Sequence, residues 1–113
     1  MIKYINITLY KNNRRTNKYE DIKAVVTKDS YLFHLENVKT SINNQYFTRE
    51  TDEYMFKLDL INKTASYLLK EKNMLFDIEV EMLNISDDKK IIEYKISSDE
   101  EQTKIIIEEN KNE

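Results

Sequence analysis

Met74-Leu75-Phe76-Asp77-Ile78-Glu79-Val80-Glu81-Met82 alternates apolar and acidic residues from Phe76 onward. Successive side chains of a strand point to opposite faces. The stretch therefore puts Phe76, Ile78, Val80 and Met82 on one face and Asp77, Glu79 and Glu81 on the other. A helix would scatter the same carboxylates around its circumference. A half-buried strand is the reading. The same period recurs on both sides of it. Upstream lie Ile5, Ile7 and Leu9; Ile22, Ala24 and Val26; Tyr31, Phe33 and Leu35; Val38, Thr40 and Ile42; Phe47 with Arg49; and Tyr54, Phe56, Leu58 and Leu60. Downstream lie Ile92, Tyr94 and Ile96, then Thr103, Ile105 and Ile107. Alanine occurs only at 24 and 65, and β-branched and aromatic residues take its place, as strands prefer.

One segment is ambiguous. Ala65, Leu68 and Leu69 also fit a helical stripe over 64–72, so a short helix there stands as the alternative to a strand. The remainder predicts an all-β protein, a small antiparallel meander closing into a β-barrel of about eight to ten short strands. Closure is expected because it removes exposed sheet edges. At this length a single domain is expected over 1–109. The chain beyond Ile107 reads as loosening and 110–113 as a frayed tail.

The 113 residues contain no Gly, no Pro and no Cys, and carry a formal net charge of −3. Without cysteine there is no disulfide, no thiolate chemistry and no Cys-ligated metal. Without glycine the phosphate-cradling loops of the P-loop and dinucleotide-fold type are excluded. Turns must use the non-Gly residues that best tolerate positive φ, and Asn12-Asn13, Asn43-Asn44, Asn62-Lys63, Asn73 and Asp87-Asp88 fall between the alternating segments. The chain has 14 Ile, 15 Lys and 12 Asn against 3 Arg and 2 Ala, a bias that fits AT-rich codons and a bacterial or phage source. The first residues show no signal-peptide pattern and nothing approaches a membrane-spanning run, so a cytoplasmic location and no membrane contact are expected.

The order of strands from Tyr31 to Ile107 resembles that of the YwiB-like family, small bacterial proteins with a calycin-like, lipocalin-related barrel. Glu36, just after one aromatic strand, and Arg49, at the end of another, resemble that family's recurrent acidic and arginine positions. The 67–72 stretch departs from its Tyr-x-Thr-Pro-Tyr-Gly turn, keeping only Tyr67. The resemblance implies a calycin-like barrel and no activity. It also implies a structural ion pair between Glu36 and Arg49, capping one end of the core. Read from the residues alone, the two are unrelated surface charges.

Four constellations could carry chemistry. His34 is the only histidine and sits between Phe33 and Leu35, so it should face outward as an ordinary strand residue without partners for catalysis. Asp77, Glu79 and Glu81 spread over about 13 Å at strand rise, too far to share one cation, and Lys95 or Lys57 are the cross-strand partners expected. Lys11, Arg14, Arg15 and Lys18, flanked by Tyr10 and Tyr19, form a basic contact loop over 11–18 that suits single-stranded nucleic acid or is simply a long polar hairpin loop. Phe33, Phe47, Phe56, Tyr67, Phe76 and Tyr94 would line an apolar pocket or fill the barrel.

Charge divides unevenly. Residues 1–49 hold nine basic and four acidic groups, and residues 50–113 nine and seventeen. Opposite-sign faces of this kind steer charged protein partners. The expectation is a non-enzymatic binding protein without cofactor or metal. Another protein is the first partner, a small apolar ligand inside the barrel the second, and nucleic acid at the 11–18 loop the third.

Overall fold

The structure, a computed structural model, describes residues 1–110. Eleven antiparallel strands make one sheet: β1 (Ile2–Lys11), β2 (Arg14–Val26), β3 (Tyr31–Leu35), β4 (Val38–Ile42), β5 (Tyr46–Glu50), β6 (Tyr54–Asp59), β7 (Thr64–Leu69), β8 (Met74–Ile78), β9 (Val80–Ile85), β10 (Ile91–Ile96) and β11 (Thr103–Glu109). No helix occurs among the described residues, and none is long and apolar enough to cross a membrane. The ambiguous 64–72 segment forms the strand β7.

The spatial order is β8-β7-β6-β5-β4-β3-β2-β1-β11-β10-β9. Every neighbour is a sequence neighbour except β1 and β11, whose pairing wraps the meander into a nearly closed barrel. The two edges of the sheet, β8 and β9, are consecutive in the chain and separated only by Glu79. The stretch that announces the fold is thus its seam. Its first half pairs with β7 and its second with β10. This adds a strand to the eight to ten expected, because alternation runs unbroken through the corner. At Glu81 a register shift puts Ile96 opposite Val80 but Lys95 opposite Met82. Leu83 and Ile85 then pack against the core, while Met82, expected inside, falls on the face of Lys95. A bulge flips the parity of every later residue in its strand.

Tight turns form without glycine. Among the described residues, eight non-Gly residues have positive φ: Asn12, Asn13, Asp21, Glu36, Asn37, Lys63, Asn73 and Lys89. Asn12-Asn13 and Glu36-Asn37 are two-residue hairpin turns with both residues left-handed, as the right-handed twist of the flanking strands favours. Asn43 works through its side chain, whose Oδ1 accepts from the Gln45 and Tyr46 amides at 2.8 and 2.7 Å. At the other three expected turns the left-handed residue is Lys63, the second of the Asn62-Lys63 pair, Asn73 itself, and Lys89, one residue past Asp88.

Ile5, Ile7, Phe33, Ile42, Phe47, Leu58, Ile92 and Ile107 are almost wholly excluded from water and form the centre of the core. Strand β11 continues two residues past Ile107. Glu108 and Glu109 remain in β11, and Glu109 takes a 3.0 Å hydrogen bond from the Tyr31 hydroxyl and pairs with Lys3 at 3.4 Å. The Asn110 amide donates to Tyr4 O at 2.9 Å. Of the tail expected to fray, 111–113 lie outside the described residues.

Candidate functional site, an aromatic cleft at the seam

Cross-strand register places Phe33, Thr40, Arg49, Phe56, Tyr67 and Phe76 side by side across β3 to β8. Directly opposed residues share a face, and Phe33 fixes that face as the inner one. The row begins buried, at Phe33 and Thr40, and ends exposed at Phe76 on the free edge of β8. A second inner row crosses β1, β11 and β10 as Lys11, Thr103 and Tyr94. The rows meet where the Tyr94 ring stacks on Phe56, centroids 5.8 Å apart at 25°. Phe47 lies beneath both, 6.5 Å from Phe56 and 5.9 Å from Tyr94. Tyr54 and Tyr67 stack at 5.2 Å and 14°.

Between these rows the seam opens into a cleft of about 760 Å³. Its walls are Tyr54, Phe56, Tyr67, Phe76, Ile78, Tyr94 and Ile96, and its rim is the β10–β11 connection at Ser97, Ser98 and Asp99. Glu79 holds that rim in place, its carbonyl accepting from the Ser97 amide at 2.9 Å. The volume lies within the usual span of small-molecule sites.

Polar groups in the cleft are few. Lys11 Nζ donates to Thr103 Oγ1 at 2.7 Å and lies 3.8 Å from Asp99. Arg49 and Tyr94 border the cleft together, and Thr103 is the cross-strand neighbour of Tyr94. Burial pushes the Tyr94 phenol up, opposed by Arg49 and Thr103, and it stays neutral at ordinary pH. Asp77 also borders the cleft. It opposes Ser66, on the face away from Phe76 and Ile78. Arg49 has no carboxylate within ion-pair distance among the described residues. Beside it in register, the Thr40 hydroxyl is buried without a partner.

The structure divides the sequence candidates among several places. Phe56, Tyr67, Phe76 and Tyr94 line the cleft, whereas Phe33 and Phe47 are core residues with no exposed surface to offer. Glu36 and Arg49 do not pair. Glu36 occupies an exposed left-handed turn position between β3 and β4, while Arg49 points into the cleft. The 11–18 segment is not a loop. The chain turns on Asn12-Asn13 alone, and strand β2 begins at Arg14. Its four cations therefore separate: Lys11 enters the cleft, Lys18 sits 3.6 Å from Glu20, and Arg14 and Arg15 remain exposed on β2. His34 is exposed opposite Lys39. Glu81 meets Lys95 at 3.1 Å, the cross-strand pairing anticipated for the acidic row. No group of three or more candidate ligands for a metal ion occurs among the described residues.

The sequence reading missed Tyr54, Ile78, Ile96 and Lys11 as lining residues. Tyr54 and Ile78 had a signal, since each lies two residues from an aromatic of the expected pocket lining. Lys11 continues the inner-face parity of Ile5, Ile7 and Leu9. No family model, curated protein or solved structure matches this chain.

Proposed function

We propose that the protein is a non-enzymatic ligand-binding barrel whose seam cleft takes a small, largely apolar molecule. One observation supports this most: a row of aromatic side chains leaves the core and ends in an open cleft of about 760 Å³ instead of being packed over. Apolar surface held in a preformed concave site binds by removal of water from both partners. An uncharged apolar dye such as Nile red should bind saturably, with enhanced emission. Phe76→Arg should weaken that binding at least tenfold, and the fold should tolerate it because Phe76 is 42% exposed. Absence of saturable binding at tens of micromolar overturns the proposal.

A second reading is a protein partner. It is favoured by the free edge of β8, where Met74, Leu75 and Phe76 are all exposed and no proline or lysine within the strand guards the unpaired backbone. Leu75→Lys should abolish capture of such a partner without affecting dye binding. The resemblance to YwiB-like, calycin-like barrels belongs with these proposals and is supported by the up-and-down meander, as is a cytoplasmic place of action by the cysteine-free composition.

A further inference from the structure

We infer that the cleft selects a flat aromatic molecule carrying a single anionic group, with that group on Arg49 and the ring against the Phe56–Tyr67–Phe76 row. The inference rests on the cleft being a ligand site and adds the chemical class.

The charge balance of the cleft comes first. Lys11 has Asp99 and Thr103 for company, and the Asp77 carboxylate leaves the opposite face of β8. Arg49 is the cation of the cleft with no ion-pair partner among the described residues. A guanidinium offers five N–H donors in a planar fork, and Arg49 lines the cleft. Such a fork binds a carboxylate in bidentate fashion.

The walls then choose between an aliphatic and an aromatic body. An alkyl chain gains from burial alone. A planar ring also gains from offset stacking, and the cleft presents five rings, four of them in near-parallel pairs, Tyr54 with Tyr67 and Phe56 with Tyr94. The register sets the distance scale. Arg49 is the immediate cross-strand neighbour of Phe56, about 5 Å between Cβ atoms, so head group and ring are engaged by adjacent residues. A short, rigid aromatic acid spans that separation.

Three probes separate the outcomes by calorimetry on the unaltered protein: 2-naphthoate, the uncharged 2-naphthylmethanol, and decanoate. The expected order is 2-naphthoate tightest, by at least tenfold over each of the others. Arg49→Leu should bring 2-naphthoate down to the level of the alcohol and leave the alcohol unchanged, with circular dichroism confirming the fold. Equal binding of the two naphthalenes by the unaltered protein overturns the anion assignment and leaves the cleft standing. Decanoate binding as tightly as 2-naphthoate overturns the aromatic assignment. Failure of all three, together with failure of Nile red, removes the cleft reading itself. If Arg49→Leu does not fold, the probe ratios on the unaltered protein and on Arg49→Lys decide the matter. Arg49→Lys should keep part of the preference for 2-naphthoate.

Discussion

Replacing Phe47 by alanine removes the ring on which both inner rows rest. The side chain is wholly excluded from water and touches Phe56 and Tyr94 at 6.5 and 5.9 Å between centroids. Taking the low end of the roughly 150–250 Å² that a buried aromatic removes from water, at about 25 cal/mol per Å², the burial is worth about 4 kcal/mol. A denatured chain already hides some of that area, which reduces the figure to about 3 kcal/mol. Loss of the edge and tilted ring contacts restores about 1 kcal/mol. Phe47→Ala should therefore cost roughly 3–5 kcal/mol, the value typical of buried Phe truncations. Urea unfolding followed by tyrosine fluorescence and circular dichroism measures it, with an unchanged m-value required for the comparison. Leu75→Ala, at a side chain 66% exposed, is the control and should change stability by less than about 0.5 kcal/mol. A loss below about 1.5 kcal/mol for Phe47→Ala at constant m would show that the two rows are not supported from beneath as described.

Four further outcomes are expected. Glu36→Asn should stabilise the protein by about 0.5–1 kcal/mol, read as a rise of roughly 4 °C in Tm, because Glu36 holds a left-handed conformation that Asn adopts more readily. At alkaline pH, burial and the bond to Glu109 push the Tyr31 phenol up from 10.0 to about 12. The folded state then holds a proton that the unfolded state has lost, so stability should fall by up to roughly 1.4 kcal/mol per pH unit between those values. Tyr31→Phe should remove that component of alkaline unfolding. The same contact, with Tyr31 first and Lys3 after it, holds the Glu109 carboxyl low, as Lys70 does for Glu50, so acid unfolding should begin as pH falls through the carboxylate range. Short single-stranded DNA or RNA should not bind at physiological salt, since the cations of 11–18 diverge. Micromolar binding lost in Arg14→Ala with Arg15→Ala would reverse that expectation.

Period-two alternation makes nearly every strand legible, because a residue's face depends only on its parity. Parity is blind to a change of partner, and that is why the corner at Glu79 leaves no trace: Phe76, Ile78 and Val80 continue the pattern while the chain passes from β7 to β10. It also fails beyond a bulge, as at Met82 and Leu83. Glycine would ordinarily mark tight turns. Here Glu36 takes a left-handed position with no compositional signal, so it reads as a charge looking for a partner instead of a turn residue. Arg49 stands out in the sequence only through a resemblance, and its neighbours in the cleft follow only from register, which depends on the turn lengths of three hairpins. The aromatic residues at 56, 67, 76 and 94 are legible as inward-facing. Which of them are covered depends on where the seam falls.

The pairing of β1 with β11 has a consequence for synthesis. β1 meets β2 as soon as the Asn12-Asn13 turn is made, but its other edge waits for a strand whose Glu109 lies 106 residues beyond Lys3. At roughly 5–20 residues per second, that edge stays open for roughly 5–20 s on each nascent chain. Ile5 and Ile7, among the most deeply buried residues of the finished barrel, flank it throughout. Chains truncated or stalled before Thr103 should be the aggregating species in expression, while hairpins formed in the middle of the chain are already satisfied by their sequence neighbours.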